Sequence, residues 1–467
     1  MELTPSAALF GPLLAVALLR ERYAFYAFIA SIPLFTIIPL QAVGHPFRLP
    51  ELTLMILMYH YTRQWLRDGR IVLPNRLAVV WFLVFIGICA ASVVYASVVP
   101  PTDVLGHPYN TPFRPVKAVP LAVSFTNVTQ LLLRIMFVLG VFVAAASLTD
   151  ARLRFALRWS VFGAIIVGVI GVVYQLSISI GVYTPFAVLR AIGVDSFPRH
   201  PGSLSVIPRM FSLPGEPGYT ADFMLLGFAV AAMSVILRGD SGILQRREAV
   251  VCTVTLGVLI LLSTSSTGYG GLVVFSGVVM LSMLLTKDRY RVRVVGVVAV
   301  AGCVLLLCGL LVTPVREQIL YQLSKFQFEA GSGDIRSQYI RISIDVWRFR
   351  PILGVGVGSH SVPTSTFTIL AETGILGLIS VAVAYGAVVL QSVRSIDRAR
   401  SDRQANVLLT VVITTTTLIV TNAVAKSMVT FLFPWYILAI GAAVAASVVV
   451  KREIGRSGDD RDREVTT

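Results

Sequence analysis

At 467 residues the chain is 56% hydrophobic and 13% charged, with a mean hydropathy of +0.80, against about 25% charged residues in a soluble domain. Apolar runs of membrane-spanning length recur along its whole length, which excludes a soluble globular fold. The net charge of +15 fits basic cytoplasmic loops that orient helices rather than a nucleic-acid-binding surface.

The hydrophobic pattern predicts an all-α polytopic membrane protein of about 12–13 helices. In chain order the spans fall near 5–19, 24–42, 50–62, 78–97, 124–147, 157–182 and 217–237. Further spans follow near 249–263, 267–286, 294–313, 366–392, 405–424 and 429–450. The first apolar run precedes its charges, Arg20 and Arg22. A cleaved signal peptide has the opposite order, so this run is expected to be a retained helix that starts outside.

Alternation from that start puts "RERY", "TRQWLRDGR", "TDARLRFALR", "RGDSGILQRRE", "TKDRYRVR" and "VRSIDRARSDRQ" inside, together with the C-terminal tail. These segments hold well over half of the 39 Lys and Arg, as the positive-inside rule requires. The expected organisation is N-terminal helices over 1–313 with outer loops at 98–123 and 183–216, then a large extracytoplasmic loop at 314–365. C-terminal helices cover 366–450, and 451–467 form a cytoplasmic, disordered tail of mixed charge. Cys89, Cys252, Cys303 and Cys308 all sit in apolar segments without metal spacing and read as packing residues.

The large outer loop carries the densest polar signal. "GSGDIRSQYIRISIDVWRFRP" reads as a turn, a helix over 334–350 and a stop at Pro351, with Ser332 or Asp334 as the cap. On helical spacing Arg336, Tyr339, Ile340, Ser343 and Trp347 share one face, while Arg341, Asp345 and Arg348 share another. The plain reading is an interfacial helix anchored by Trp and Arg at headgroup depth. After it, Gly354, Gly356 and Gly358 let the backbone turn tightly and approach a ligand. Glu372 then lies inside the next apolar run, where a carboxylate is either functional or accepts hydrogen bonds from loop backbone.

A second segment, "PRMFSLPGEPGYTADFMLLGF", places Arg209 and Glu216 in irregular chain before a helix, with Asp222 in its first turns. Irregular backbone at membrane depth is tolerated where it lines a protein cavity. Arg134, in the middle of "TQLLLRIMFVLG", is expected to pair with Glu51 or Glu372 or to bind a lipid phosphate. The histidines His45, His60, His107, His200 and His360 are scattered, so no metal site is expected.

This arrangement resembles the O-antigen polymerase and O-antigen ligase superfamily of bacterial envelope proteins. The family pattern has an Arg about fifteen residues before a "P-x-x-G-x-G" turn, a His-Asn pair, and a helix opening "E-x-G-x-x-G". Here Arg336 precedes "PILGVG" by that interval, and "ETGILG" supplies the last element from Glu372 to Gly377. The upstream "R…EPG" is similar to the family's other arginine motif and places Arg209 and Glu216. "LLSTSSTGYGGLVV" is similar to a Ser/Thr/Gly-rich helix start found there. The family His position falls on Pro363, and the nearest histidine is His360; this departure favours the polymerase branch over the ligase branch.

The resemblance implies a fold like the integral-membrane glycosyltransferase C-type folds and a location in the cytoplasmic membrane, with the site on its outer face. It implies a polysaccharide polymerase that transfers a polyprenyl-pyrophosphate-linked glycan onto a lipid-linked repeat unit, with inversion and without metal or cofactor. Arg209 and Arg336, with Arg341 as a third, would bind the pyrophosphate; Glu216 or His360 would serve the acceptor hydroxyl. Gly354, Gly356, Gly358 and Glu372 would shape the site. Partners implied are membrane lipids, a chain-length regulator and a flippase. The alternatives are ligase-type transfer to a lipid or protein, and secondary transport, for which no internal repeat is visible.

Overall fold

The computed structural model describes residues 2–42, 45–69, 76–108, 118–182, 210–237, 241–285, 332–396 and 401–425, and the single positions 187 and 399. The first four helices are α1 (Pro5–Leu19), α2 (Glu21–Ser31), α3 (Leu49–Asp68) and α4 (Arg76–Val98). Next come α5 (Phe125–Ala146), α6 (Asp150–Ser179), α7 (Pro217–Ile236), α8 (Arg246–Leu262) and α9 (Ser266–Leu285). The last described are α10 (Ser332–Phe349), α11 (Ser365–Ile396) and α12 (Asp402–Ala425). Small antiparallel pieces add β1 (Glu2–Leu3), β2 (Leu40–Ala42) and β3 (His45–Phe47) in that order, with Leu40 opposite Phe47, and a separate pair β4 (Leu105–Gly106) and β5 (Val119–Pro120).

Among the described residues, six helices are long and apolar enough to cross a membrane: α4, α5, α6, α7, α11 and α12. Their outward faces carry exposed Val80, Leu83, Val94, Leu132, Ile166, Val173 and Ile379, the surface a lipid solvent leaves uncovered. The chain is a multi-pass helical membrane protein. The expected spans at 294–313 and 429–450 lie outside the described residues.

The expected span at 24–42 is corrected by the structure. Helix α2 stops at Ser31, a single 3-10 turn covers Ile32–Leu34, and the chain turns into β2. Pro33 and Pro39 lack the backbone N–H that a continued helix needs. Elsewhere local chemistry sets the helix ends. Ser124 and Asn127 cap α5 reciprocally, Asn127 Oδ1 accepting from Ser124 N at 2.7 Å, and Pro217 occupies the first turn of α7.

Helices α6 and α7 meet through small residues. A Cβ on Gly227 would sit 2.9 Å from Ser160 O and against the Ala164 methyl, so the backbones approach as close-packed membrane helices do. Helix α6 also measures depth. Its 30 residues span about 45 Å, about 15 Å more than the hydrocarbon core. Ser212 donates to Val167 O at 2.6 Å, and a Cβ on Gly171 would meet Met210. Those contacts lie about 12–18 Å back from the end of α6 at Ser179. The 210–216 segment therefore packs against the side of α6, well back from its end, and α7 starts there. Thr36 N donates to Leu213 O at 3.3 Å and Leu49 N to Ile37 O at 2.9 Å, so the 32–39 turn and the start of α3 share this level.

Candidate functional site

The motif "PILGVG…ETGILG" builds one unit around a break in α11. At Gly374 the backbone leaves the helical region, with φ 67° and ψ −167°. The turn 350–358 supplies the hydrogen bonds that the break removes. Val355 N donates to Ala371 O at 2.9 Å and Gly356 N to Glu372 O at 3.0 Å. On the other side, Ile375 N donates to Pro351 O at 2.8 Å. An irregular backbone is thus satisfied inside protein, the condition for its existence at membrane depth.

All three loop glycines adopt positive φ: 69° at Gly354, 97° at Gly356 and 84° at Gly358. What they approach is the protein itself. A Cβ on Gly354 would enter the Ala371–Glu372 backbone; on Gly356 it would sit 2.8 Å from the Ala96 methyl, and on Gly358 2.8 Å from Asn127 Cα. The expected close approach to a ligand gives way to close approach to α11, α4 and α5. Asn127 ties the arch down, its Nδ2 donating to Val357 O at 2.6 Å and to Ser359 Oγ at 2.8 Å.

Glu372 is fully buried and divides its carboxylate between two partners. Oε1 accepts from Gly358 N at 2.7 Å, and Oε2 pairs with the Arg134 guanidinium of α5. Arg134 is also fully buried, with Nη1 3.9 Å from Cys89 Sγ on α4. Of the partners expected for Arg134, the one the structure gives is Glu372, and Glu372 takes the backbone-acceptor role.

His360 is sealed as well. Its Nδ1 accepts from the backbone N–H of His107 at 2.9 Å, so the ring proton belongs on Nε2. Nε2 then donates to Ser343 Oγ, 2.9 Å away, and that hydroxyl donates to Tyr339 O at 2.8 Å. Burial, with a smaller contribution from the nearby His107, pushes the His360 pKa down to about 3. Both ring nitrogens are spent on the protein, so His360 fastens α10 and the arch to the β4 segment.

Helix α10 buries Tyr339, Ser343 and Val346 against that assembly. Tyr339 packs edge-on to the His107 ring at 5.1 Å. Arg336 lies on the same face, half-buried, whereas Arg341 is exposed. Asp345 and Arg348 form an exposed pair at 3.6 Å. Just past the helix, Arg350 is buried between Tyr95 (4.8 Å) and Phe349 (5.3 Å) and donates to Val99 O at 2.6 Å. It closes the carboxyl end of α4, where a cation is favoured.

The second candidate segment forms a separate cluster at the same end of the bundle. Ser212 and Gly215 bridge a tight turn, with φ 105° at Gly215, and Glu216 precedes Pro217 as the cap residue of α7. The Glu216 side chain makes no cap hydrogen bond and is exposed. Tyr219, one turn into α7, lies within electrostatic reach of Glu216, Arg48 and Asp222. Arg209 lies outside the described residues.

The structure therefore brings together Gly354, Gly356, Gly358, His360 and Glu372, with Arg336 on the adjoining helix. Glu216 stands apart from them, next to Tyr219 and Arg48. Sequence reasoning passed over Arg48, His107, Asn127 and Arg350. The signal for Asn127 was the "SFTN" cap pattern; the other three come from distant loops and carry no local signal. No group of three or more His, Cys, Asp or Glu able to hold a metal occurs among the described residues.

Compared with known proteins, the chain matches no protein-family model and none of the curated sequences.

Proposed function

We propose that the protein is a membrane glycosyltransferase of the polysaccharide-polymerase kind. It transfers a polyprenyl-pyrophosphate-linked glycan to a hydroxyl of a lipid-linked repeat unit on the outer face of the cytoplasmic membrane. The observation that carries this reading is Glu216, an exposed carboxylate on a turn packed against the side of α6, at the bundle end that also holds the "PILGVG…ETGILG" unit.

The reaction is a single displacement. The acceptor oxygen forms a bond to the anomeric carbon as the bond from that carbon to the pyrophosphate oxygen breaks. The electron pair leaves with polyprenyl pyrophosphate, and the acceptor proton passes to the Glu216 carboxylate, with inversion. Arg336 and Arg209 neutralise charge growing on the leaving group, a task suited to a guanidinium that stays charged near lipid and binds phosphate oxygens in pairs. Between the two base candidates the geometry favours Glu216, because both His360 nitrogens are occupied. The Glu372 unit fixes the arch and the start of α11.

The test is a deletion strain complemented with wild type, Glu216→Gln or Arg336→Ala at matched membrane expression. Surface glycan and polyprenyl-linked intermediates are resolved by gel and mass spectrometry. Single lipid-linked repeat units accumulate if the reading holds. Normal long polymer in both variants overturns the site, and long lipid-linked polymer that never reaches an acceptor points to ligase-type transfer.

A second reading, secondary transport, is favoured by one observation. Helix α11 is discontinuous beside a buried ion pair, as in transporter substrate sites. Unchanged glycan in the deletion strain selects it.

A further inference from the structure

The face of α10 expected to meet the headgroups is packed on the protein at Tyr339 and Ser343, through His107 and His360. Apolar surface is found instead at the end of the helix. Phe349 is 43% exposed, and Ile352, just past Pro351, is 61% exposed. Trp347 is half-buried, and its indole N–H is used within the protein, donating to Pro351 O at 3.1 Å. No polar atom of these three side chains is left asking for water.

These side chains continue the outward faces of two spanning helices, α4 and α11. The Arg350 guanidinium lies close to both the Phe349 ring (5.3 Å) and the ring of Tyr95 on α4 (4.8 Å), and Tyr95 is itself exposed. On the other side, Ile375 N donates to Pro351 O at 2.8 Å and Leu376 N to Ile352 O at 3.5 Å. Ile375 and Leu376 are exposed too. Exposed apolar side chains thus run from α4 across the end of α10 to α11. Tyr95 stands in the last turn of α4, whose 23 residues span about 35 Å, against about 30 Å for the hydrocarbon core. That turn is an interface position, the level at which Tyr and Trp collect.

We infer that the end of α10, Trp347 to Ile352, is an interfacial anchor whose Phe349 and Ile352 side chains enter the leaflet at which α4 ends. The occupant of this surface is lipid, because the patch is continuous with the lipid-facing sides of α4 and α11 rather than standing alone. The anchor fixes one end of α10 relative to the bilayer, while Tyr339 and Ser343 fix its side to the protein. It holds for either orientation of the chain and goes beyond the glycosyltransferase reading without depending on it.

The test uses the full-length chain with Cys303 and Cys308 replaced by serine, Cys89 and Cys252 being buried. Phe349→Cys and Ile352→Cys are spin-labelled one at a time and reconstituted in vesicles of phosphatidylethanolamine and phosphatidylglycerol. Arg341→Cys, exposed on α10, is the water reference, and Ile379→Cys, exposed on α11, is the lipid reference. Collision with oxygen, which concentrates in lipid, is compared with collision with a water-soluble nickel chelate. Labels at 349 and 352 are expected to shift toward oxygen, as at Ile379→Cys, whereas Arg341→Cys favours the chelate. Each position is read separately, so a variant that fails to fold leaves the other to decide. Preference for the chelate at 349 and 352 would put this end of α10 in water and overturn the inference. Shielding from both reagents would mean that protein, such as a second copy of the chain, covers the patch, and would overturn it as well.

Discussion

Arg134 of α5 and Glu372 of α11 form a fully buried ion pair whose carboxylate also accepts from the Gly358 backbone. The pair joins two helices and a loop that are far apart in sequence. Breaking such a pair strands a charge and costs about 3–5 kcal/mol, whereas replacing both partners costs much less. Arg134→Met and Glu372→Gln are each expected to lower the thermal midpoint in detergent strongly. The double variant should be more stable than the sum of the singles predicts, because neither charge is then left buried without its partner. Additive losses would mean that the two groups act independently.

His360 makes stability depend on pH with a definite sign. Its folded pKa, about 3, lies below the usual histidine value of about 6.5, so the unfolded chain binds the extra proton first. The contribution is complete above about pH 6.5 and is lost as pH falls toward 3, at about 1.4 kcal/mol per unit at most. His360→Gln, which removes the titration, is expected to flatten the acid side of the unfolding curve. It should leave the pH profile of glycan transfer unshifted, since the histidine is not the base.

The break at Gly374 has no room for a side chain. Its φ is 67°, and a Cβ would run into the Ile352 backbone. Gly374→Ala is expected to cost about 2–4 kcal/mol through strain and overpacking. Gly386 lies in the same helix with nothing near its Cβ position, so Gly386→Ala should change stability by less than about 1 kcal/mol. Equal midpoints for the two variants would refute the discontinuity.

The membrane class and most helix positions were legible in the sequence because hydropathy acts locally. The exceptions are instructive. The run at 24–42 is apolar enough to span, and only Pro33 and Pro39 announce that it turns back. The three glycines of the arch look the same whether they serve a ligand or a neighbouring helix; only the distances to Ala96, Asn127 and Glu372 decide. Arg134 showed that a partner was needed, but the choice of Glu372 over Glu51 depended on which helices pack together.

Orientation is testable with single cysteines. Arg341 is exposed on the face of α10 away from Tyr339, and Arg247 opens α8 at the opposite end of the bundle. Cys89 and Cys252 are buried; with Cys303 and Cys308 replaced by serine, background labelling should be low. In intact cells with a permeabilised outer envelope, a membrane-impermeant maleimide is expected to label Arg341→Cys and not Arg247→Cys. The reverse pattern would invert the topology.

Glu216 is the residue on which the proposed chemistry depends most directly. A general base contributes about 10²–10⁴-fold to a rate, and its loss should appear in turnover rather than in donor binding. In proteoliposomes supplied with lipid-linked repeat units, Glu216→Gln is expected to lower kcat by about that factor, with KM nearly unchanged. Glu216→Asp keeps the charge but shortens the reach, so it should retain intermediate activity. A Glu216→Gln protein that turns over at the wild-type rate would leave proton transfer to solvent and reduce Glu216 to an electrostatic neighbour of Tyr219.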